Sequence, residues 1–131
     1  MTNVIEIKGE RFFLLPESEY LRMIEQSLET AGLLPAYPPR DRSGNSPALD
    51  FARVNLAREI IRDRTACGLS QRDLARLVGV PQSTIARVES GKVSATVRMV
   101  KRIEAALLRA ARKRRSQPAR GQTPERKWSR S

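Results

Sequence analysis

The sequence predicts a mainly α fold: four or five packed helices, preceded by a small β-β-α element and followed by a basic disordered tail. Three observations predict it. Apolar residues recur at helical spacing through residues 49–110, with glycines at the ends of the periodic stretches. Two short β-prone runs flank a glycine-containing turn near the N-terminus. Residues 111–131 are densely charged and almost free of apolar side chains, so they cannot bury enough surface to offset chain entropy.

The chain has 131 residues, with 25 Lys and Arg against 14 Asp and Glu, for a formal net charge of +11. That length suits one small domain with appendages, whose modest core a dimer contact would supplement. No run approaches the ~18 to 20 consecutive apolar residues of a membrane span. Met1 to Glu10 lack the basic-then-apolar order of a secretory signal. Cys67 is the only cysteine, which excludes a disulfide scaffold, suits a reducing cytoplasm and suggests a structural role for that residue. With no histidine, His-based metal sites and His-driven acid/base catalysis are both removed. No cofactor is expected, and a basic chain of this kind points first to nucleic acid or an acidic protein as partner.

The charge divides the chain. Residues 1–48 carry a net of −2, residues 49–110 a net of +6 and residues 111–131 a net of +7. Residues 1–30 form the β-β-α element: Val4 to Ile7 and Arg11 to Leu15 as strands about Lys8-Gly9-Glu10, then a helix from Glu17 to about Thr30 with Glu17 and Glu19 in its first turn. Tyr20, Leu21, Ile24 and Leu28 give that helix one apolar face, which must cover the hairpin or meet a second copy, because an isolated hairpin is only marginally stable. Residues 31–48 hold Pro35, Pro38, Pro39 and Pro47 and are expected to be a semi-extended linker. The tail is either a solvated extension or an arm that tracks phosphates, and Trp128 is a candidate partner anchor within it.

Residues 49–110 are the informative stretch. Phe51, Val54, Ala57, Ile60 and Ile61 mark a helix that stops at Gly68. Ser70 starts the next one, with Asp73 three residues on as its capping-box acid, and Leu74, Ala75 and Val78 as its buried face up to Gly79. Only Val80-Pro81 separates this from a helix over Gln82 to Ser90, which hides Ile85 and Val88. Val97, Val100, Ile103 and Leu107 then define a helix that closes the core. Two short helices around a glycine-containing turn are the layout of a helix-turn-helix. The second exposes Gln82, Ser83, Thr84 and Arg87, side-chain types that read base edges; amphipathicity alone would equally fit a helical bundle with a polar surface.

Gly68-Leu69-Ser70-Gln71-Arg72-Asp73-Leu74-Ala75, Val78-Gly79-Val80-Pro81-Gln82-Ser83-Thr84-Ile85 and Glu89-Ser90-Gly91-Lys92 resemble the Xre family, the helix-turn-helix proteins that include lambdoid phage Cro and repressor. The likeness runs from about Asn55 to Ala110 and implies a Cro/repressor-like DNA-binding bundle over 49–110. It further implies base reading by Gln82, Ser83, Arg87 and the adjacent Thr84, backbone contacts by Gln71 and Lys92, and a structural ion pair between Arg64 and Glu89. Pro81 departs from that pattern, standing where a Ser or Thr often caps the recognition helix; its fixed φ and missing N–H suit a helix start without a side-chain cap. Lys8-Gly9-Glu10 through Leu14-Leu15-Pro16-Glu17-Ser18-Glu19-Tyr20-Leu21 resemble the hairpin and following helix of Phd/YefM-type antitoxins, which implies a dimerising or partner-binding element in a toxin-antitoxin context without that family's DNA-binding part.

Together these readings lead to the expectation of a cytoplasmic, homodimeric regulator that binds double-stranded DNA at a pseudo-palindromic operator and is not an enzyme. Its fuller form is the antitoxin of a type II toxin-antitoxin system, neutralising a cognate toxin and repressing its own operon. The alternative is a stand-alone or phage-type repressor with no toxin partner.

Overall fold

A computed structural model describes residues 3–44 and 47–116. The chain runs β1 (Asn3–Ile7), β2 (Glu10–Leu14), α1 (Glu17–Thr30), α2 (Ala48–Ala66), α3 (Gln71–Val78), α4 (Gln82–Glu89) and α5 (Val97–Ser116). It is the mainly α arrangement the periodicity predicts, five helices behind a β-hairpin.

The hairpin is antiparallel, with Val4 opposite Phe13, Ile5 opposite Phe12 and Glu6 opposite Arg11. Lys8 and Gly9 both take positive φ, 53° and 84°, the two-residue turn whose twist matches that of the strands. Because side chains alternate along a strand, Val4 and Phe13 share one face while Ile5 and Phe12 share the other. All four are exposed, together with Ile7 and Leu14. The apolar side of α1 turns to α2 and leaves the hairpin uncovered.

Pro16 starts α1, its carbonyl accepting the backbone N–H groups of Glu19 and Tyr20 at 3.0 and 3.1 Å. Leu28 is buried where α1 meets α2, and two carboxylates one turn apart on α1 find two guanidinium groups one turn apart on α2. Glu29 pairs with Arg58, and Glu25 lies 3.8 Å from Arg62, a ladder that sets the helices in opposite directions.

Within residues 31–48, expected to be a linker, Pro35 and Tyr37 lie against α2. Arg58 is buried; its Nη1 donates to the Pro35 carbonyl at 2.8 Å, and its guanidinium stands 4.4 Å over the Tyr37 ring. Tyr37 in turn stacks on Phe51, centroids 5.1 Å apart, and its hydroxyl donates to Asn55 Oδ1 at 3.1 Å. Phe51 thus keeps its helical position but packs on this segment and stays partly exposed, outside the main core.

That core is built where α2, α3, α4 and α5 converge. Leu74, Ile85 and Ile103 are fully buried, surrounded by Ile60, Ala75, Val78, Val88, Ala106 and Leu107. Each fully buried side chain contributes about 1.5 to 3 kcal/mol relative to exposure. α5 enters through Met99, Ile103, Ala106 and Leu107. Val97, expected among the core residues, is 72% exposed, because it is the first residue of α5 and lies ahead of the stripe that reaches α3. The helix also continues to Ser116, so Arg112 to Arg114 are helical and not part of a disordered arm; residues 117–131 of the expected tail, Trp128 included, lie outside the described residues.

α3 starts with a complete capping box: Ser70 Oγ accepts the Asp73 backbone N–H at 3.0 Å, and Asp73 Oδ2 accepts the Ser70 N–H at 3.0 Å. These bonds, the backbone one foremost, hold the Asp73 carboxyl below its ordinary value, with Arg76 and Arg72 adding in the same direction. A depressed carboxylate contributes stability that is present above its unfolded value, about 3.9, and lost as pH falls through the folded one. Denaturant unfolding at pH 7 and pH 3 should therefore show Asp73→Asn losing less stability on acidification than the parent chain; equal losses would remove Asp73 from the acid response.

Candidate nucleic-acid interface

α3 and α4 are joined by three residues. Gly79 ends α3 in the left-handed conformation, and its N–H and that of Val80 both donate to the Ala75 carbonyl, at 2.8 and 3.0 Å. Val80 drops back toward the core, and Pro81 begins α4 with no side-chain cap, its carbonyl accepting the Thr84 N–H at 3.0 Å. With Leu74 and Ile85 in one core, the two helices form a rigid corner.

Glu89, the last residue of α4, is 5% exposed and ties that corner together. Arg64 of α2 grips it in a fork, Nε to Oε2 at 2.8 Å and Nη2 to Oε1 at 2.9 Å, the planar geometry that makes arginine-carboxylate pairs strong. Gln71, the first residue of α3, donates its amide to Oε1 at 3.0 Å. The remaining Arg64 nitrogen, Nη1, donates to the Leu69 carbonyl at 3.0 Å. One carboxylate therefore joins α2, α3 and α4.

On the outer side of α4, Gln82, Ser83 and Arg87 are exposed and Thr84 is half-buried. Among the described residues, no intramolecular side-chain hydrogen bond occupies any of the four. Arg72 and Arg76 of α3 are exposed cations nearby in the chain, and Lys92 is exposed in the turn beyond α4. That turn is held from beneath. Gly91 has φ +74°, and a Cβ there would stand 3.2 Å from Val54 Cγ2 and 3.3 Å from the Val54 Cα, so a side chain would be both strained and crowded. The Lys92 N–H donates to Ser90 Oγ at 3.2 Å, and Arg53 Nε of α2 donates to Ser94 Oγ at 2.6 Å.

A family model, HTH_3 (Helix-turn-helix), matches residues 60–110. Those residues form an Xre/Cro-type helix-turn-helix domain. No curated protein and no solved structure matches the chain. Within the match, α3 and α4 are the two helices of the helix-turn-helix. Among the described residues, no group of three or more Cys, Asp or Glu side chains could hold a metal ion, and no helix is long and apolar enough to cross a membrane.

Of the residues singled out from the sequence, the structure brings Arg64 and Gln71, both half-buried, onto the buried Glu89 and places Gln82, Ser83, Thr84 and Arg87 on α4, with Lys92 just past its end. Gln71 directs one amide N–H inward, leaving its other N–H and the backbone N–H at the start of α3. Four supporting residues escaped the sequence. Arg53 and Ser94 are 41 positions apart, and no spacing rule connects them. Arg102 donates to the Val78 carbonyl at 2.6 Å and Arg109 reaches the Leu77 carbonyl at 3.5 Å, both at the C-terminus of α3, where cations complement the helix dipole. Their seven-residue spacing on α5, two turns on one face, was the available signal.

Glu89→Ala leaves Arg64 without its partner at a site that is mostly shielded from water, which costs about 3 to 5 kcal/mol when a buried pair is broken. The expected result in denaturant unfolding is a loss of that size with the slope unchanged; a loss below 1 kcal/mol, the range of surface pairs, would show the cluster to be dispensable.

Proposed function

We propose that the chain is a sequence-specific DNA-binding transcriptional regulator that inserts α4 in the major groove. The observation that carries this reading is the set of side chains on α4, Gln82, Ser83, Thr84 and Arg87, which no other part of the described chain engages, mounted on a corner fixed by Glu89. Arginine pairs with guanine, glutamine with adenine, and serine or threonine with either kind of edge. Lys92 and the start of α3 at Gln71 serve phosphates and set the register. A homodimer would read two half-sites about 34 to 36 Å apart on a pseudo-palindromic operator.

The β-β-α element supports a second part of the proposal. An apolar hairpin exposed on both faces, on a chain whose own helices leave it open, is suited to a protein contact, either the second copy in the dimer or a toxin. The antitoxin reading, with neutralisation of a cognate toxin and repression of its own operon, rests on that surface together with the resemblance of residues 8–21 to Phd/YefM-type antitoxins. Co-purification from the native host separates the two forms of the proposal. A stoichiometric small partner makes the chain an antitoxin, and a dimer that binds its operator unaided makes it a stand-alone repressor.

Base reading is tested by selecting preferred sites from a random duplex library. Arg87→Ala should lose preference at one position per half-site and about 1 to 3 kcal/mol of affinity, while Lys92→Ala should weaken all sequences alike and lower the slope of log affinity against log salt by about 1. Uniform weakening by Arg87→Ala would move Arg87 from the bases to the phosphates.

A further inference from the structure

A cleft of about 650 Å³ opens on the domain where the start of α1, the end of α2 and the last turns of α5 meet. Its walls are apolar, with Leu15, Tyr20 and Leu21 on one side, Ala66 beneath, and Leu107, Leu108 and Ala111 on the other; Glu17, Asp63 and Glu104 bring three carboxylates to its lining, against the guanidinium groups of Arg62 and Arg114. Leu108, half exposed, has no core to enter and forms part of this wall instead.

Two observations bear on what fills the cleft. The first is where the chain goes. Arg114 lines the cleft and α5 ends two residues later, with fifteen residues still to come. The second is what those residues carry. Residues 117–131 contain a single large apolar side chain, Trp128, the only tryptophan of the protein, set between Arg126-Lys127 and Arg130. Trp128 lies twelve positions beyond Ser116, an extended reach of about 40 Å, whereas folding back along α5 from Ser116 to Leu107 takes only about 14 Å. The segment is long enough to return, and closing such a loop costs little more than closing a shorter one. Being tethered, it also meets the cleft at an effective concentration on the order of millimolar, far above that of a free partner.

We propose that the cleft seats the chain's own C-terminal segment, with the Trp128 indole between Leu21 and Leu108 and its basic neighbours toward the carboxylates of the rim. An amphipathic ring on an apolar floor with cations at a carboxylate edge matches the chemistry of both surfaces. Docking of this kind keeps Arg126, Lys127 and Arg130 against protein, away from the outer face of α4.

A chain with one tryptophan reports this directly by fluorescence, without DNA. In the full-length protein the emission should be blue-shifted from that of free tryptophan and the acrylamide quenching constant several-fold lower, with both values unchanged by dilution from micromolar to nanomolar. Leu108→Arg should restore the emission and quenching of the free indole, while Leu33→Gln, a change at an exposed site away from the cleft, should not. A helical circular dichroism spectrum shows whether Leu108→Arg folds; if it does not, Ala111→Arg on the same wall takes its place. Free-indole emission in the parent chain overturns the proposal, as does an emission indifferent to the folded cleft variant. A shift that disappears on dilution also overturns it, assigning the cleft to the segment of a second copy.

Discussion

The Glu89 carboxylate is the constraint on which the mutual geometry of α2, α3 and α4 depends. A carboxylate 5% exposed to water is tolerable only if its charge is met, and here the Arg64 fork and the Gln71 amide meet it from two other helices. The bonds have direction, so they fix how α4 is rotated as well as where it lies. Apolar packing of Leu74, Ile85 and Ile103 supplies most of the stabilisation of the corner but is indifferent to small rotations. The outer face of α4 needs both, since a slight turn of the helix about its own axis would redirect Gln82, Ser83 and Arg87 together.

A second buried charge works differently. Arg58 is held by the Pro35 carbonyl, the Glu29 carboxylate and the Tyr37 ring, and its Nε has no hydrogen-bond partner among the described residues. Desolvating a guanidinium in this way is expensive, and the contacts that offset it come from α1 and from the proline-containing segment. The element at the N-terminus is thereby anchored to the helix that also carries Arg64, and Pro35 lies close to Gly91 at the turn after α4. A contact made at α1 is thus linked through α2 to the segment bearing Lys92.

Much of the fold was legible because local rules decide it. Ser70 and Asp73 form a capping box at the spacing that signals one, Lys8-Gly9 makes a two-residue turn, and α3 and α4 bury the residues that helical periodicity marks. What was not legible depends on distance in the sequence or on competition between rules. Arg58 with Pro35 and Tyr37, and Arg53 with Ser94, are pairings across 21 to 41 positions, where one sequence offers no spacing to count. Four prolines in residues 31–48 correctly exclude helix and strand over most of that stretch, but they do not distinguish a segment that swings free from one packed in an irregular conformation. At 111–116, charge density argues for disorder, while Ala110, Ala111 and the following Arg and Lys are all good helix formers; propagation from a helix already anchored by Leu107 prevails. For Gln82, Ser83, Thr84 and Arg87 the sequence supplied residue types and the structure adds their placement, with Thr84 less open than its position on the helix suggested.

The hairpin has a consequence for how the protein is made. Its strands can pair before any tertiary contact forms, because the register and the turn are local. Among the described residues, no later element covers it. Two open edges are then presented by every nascent copy, with Val4 and Phe13 on one face and Ile5 and Phe12 on the other, and on neighbouring ribosomes translating one message such ribbons meet at high local density. A ribbon that pairs there does so with a sibling from the same transcript, before the helices behind it have packed.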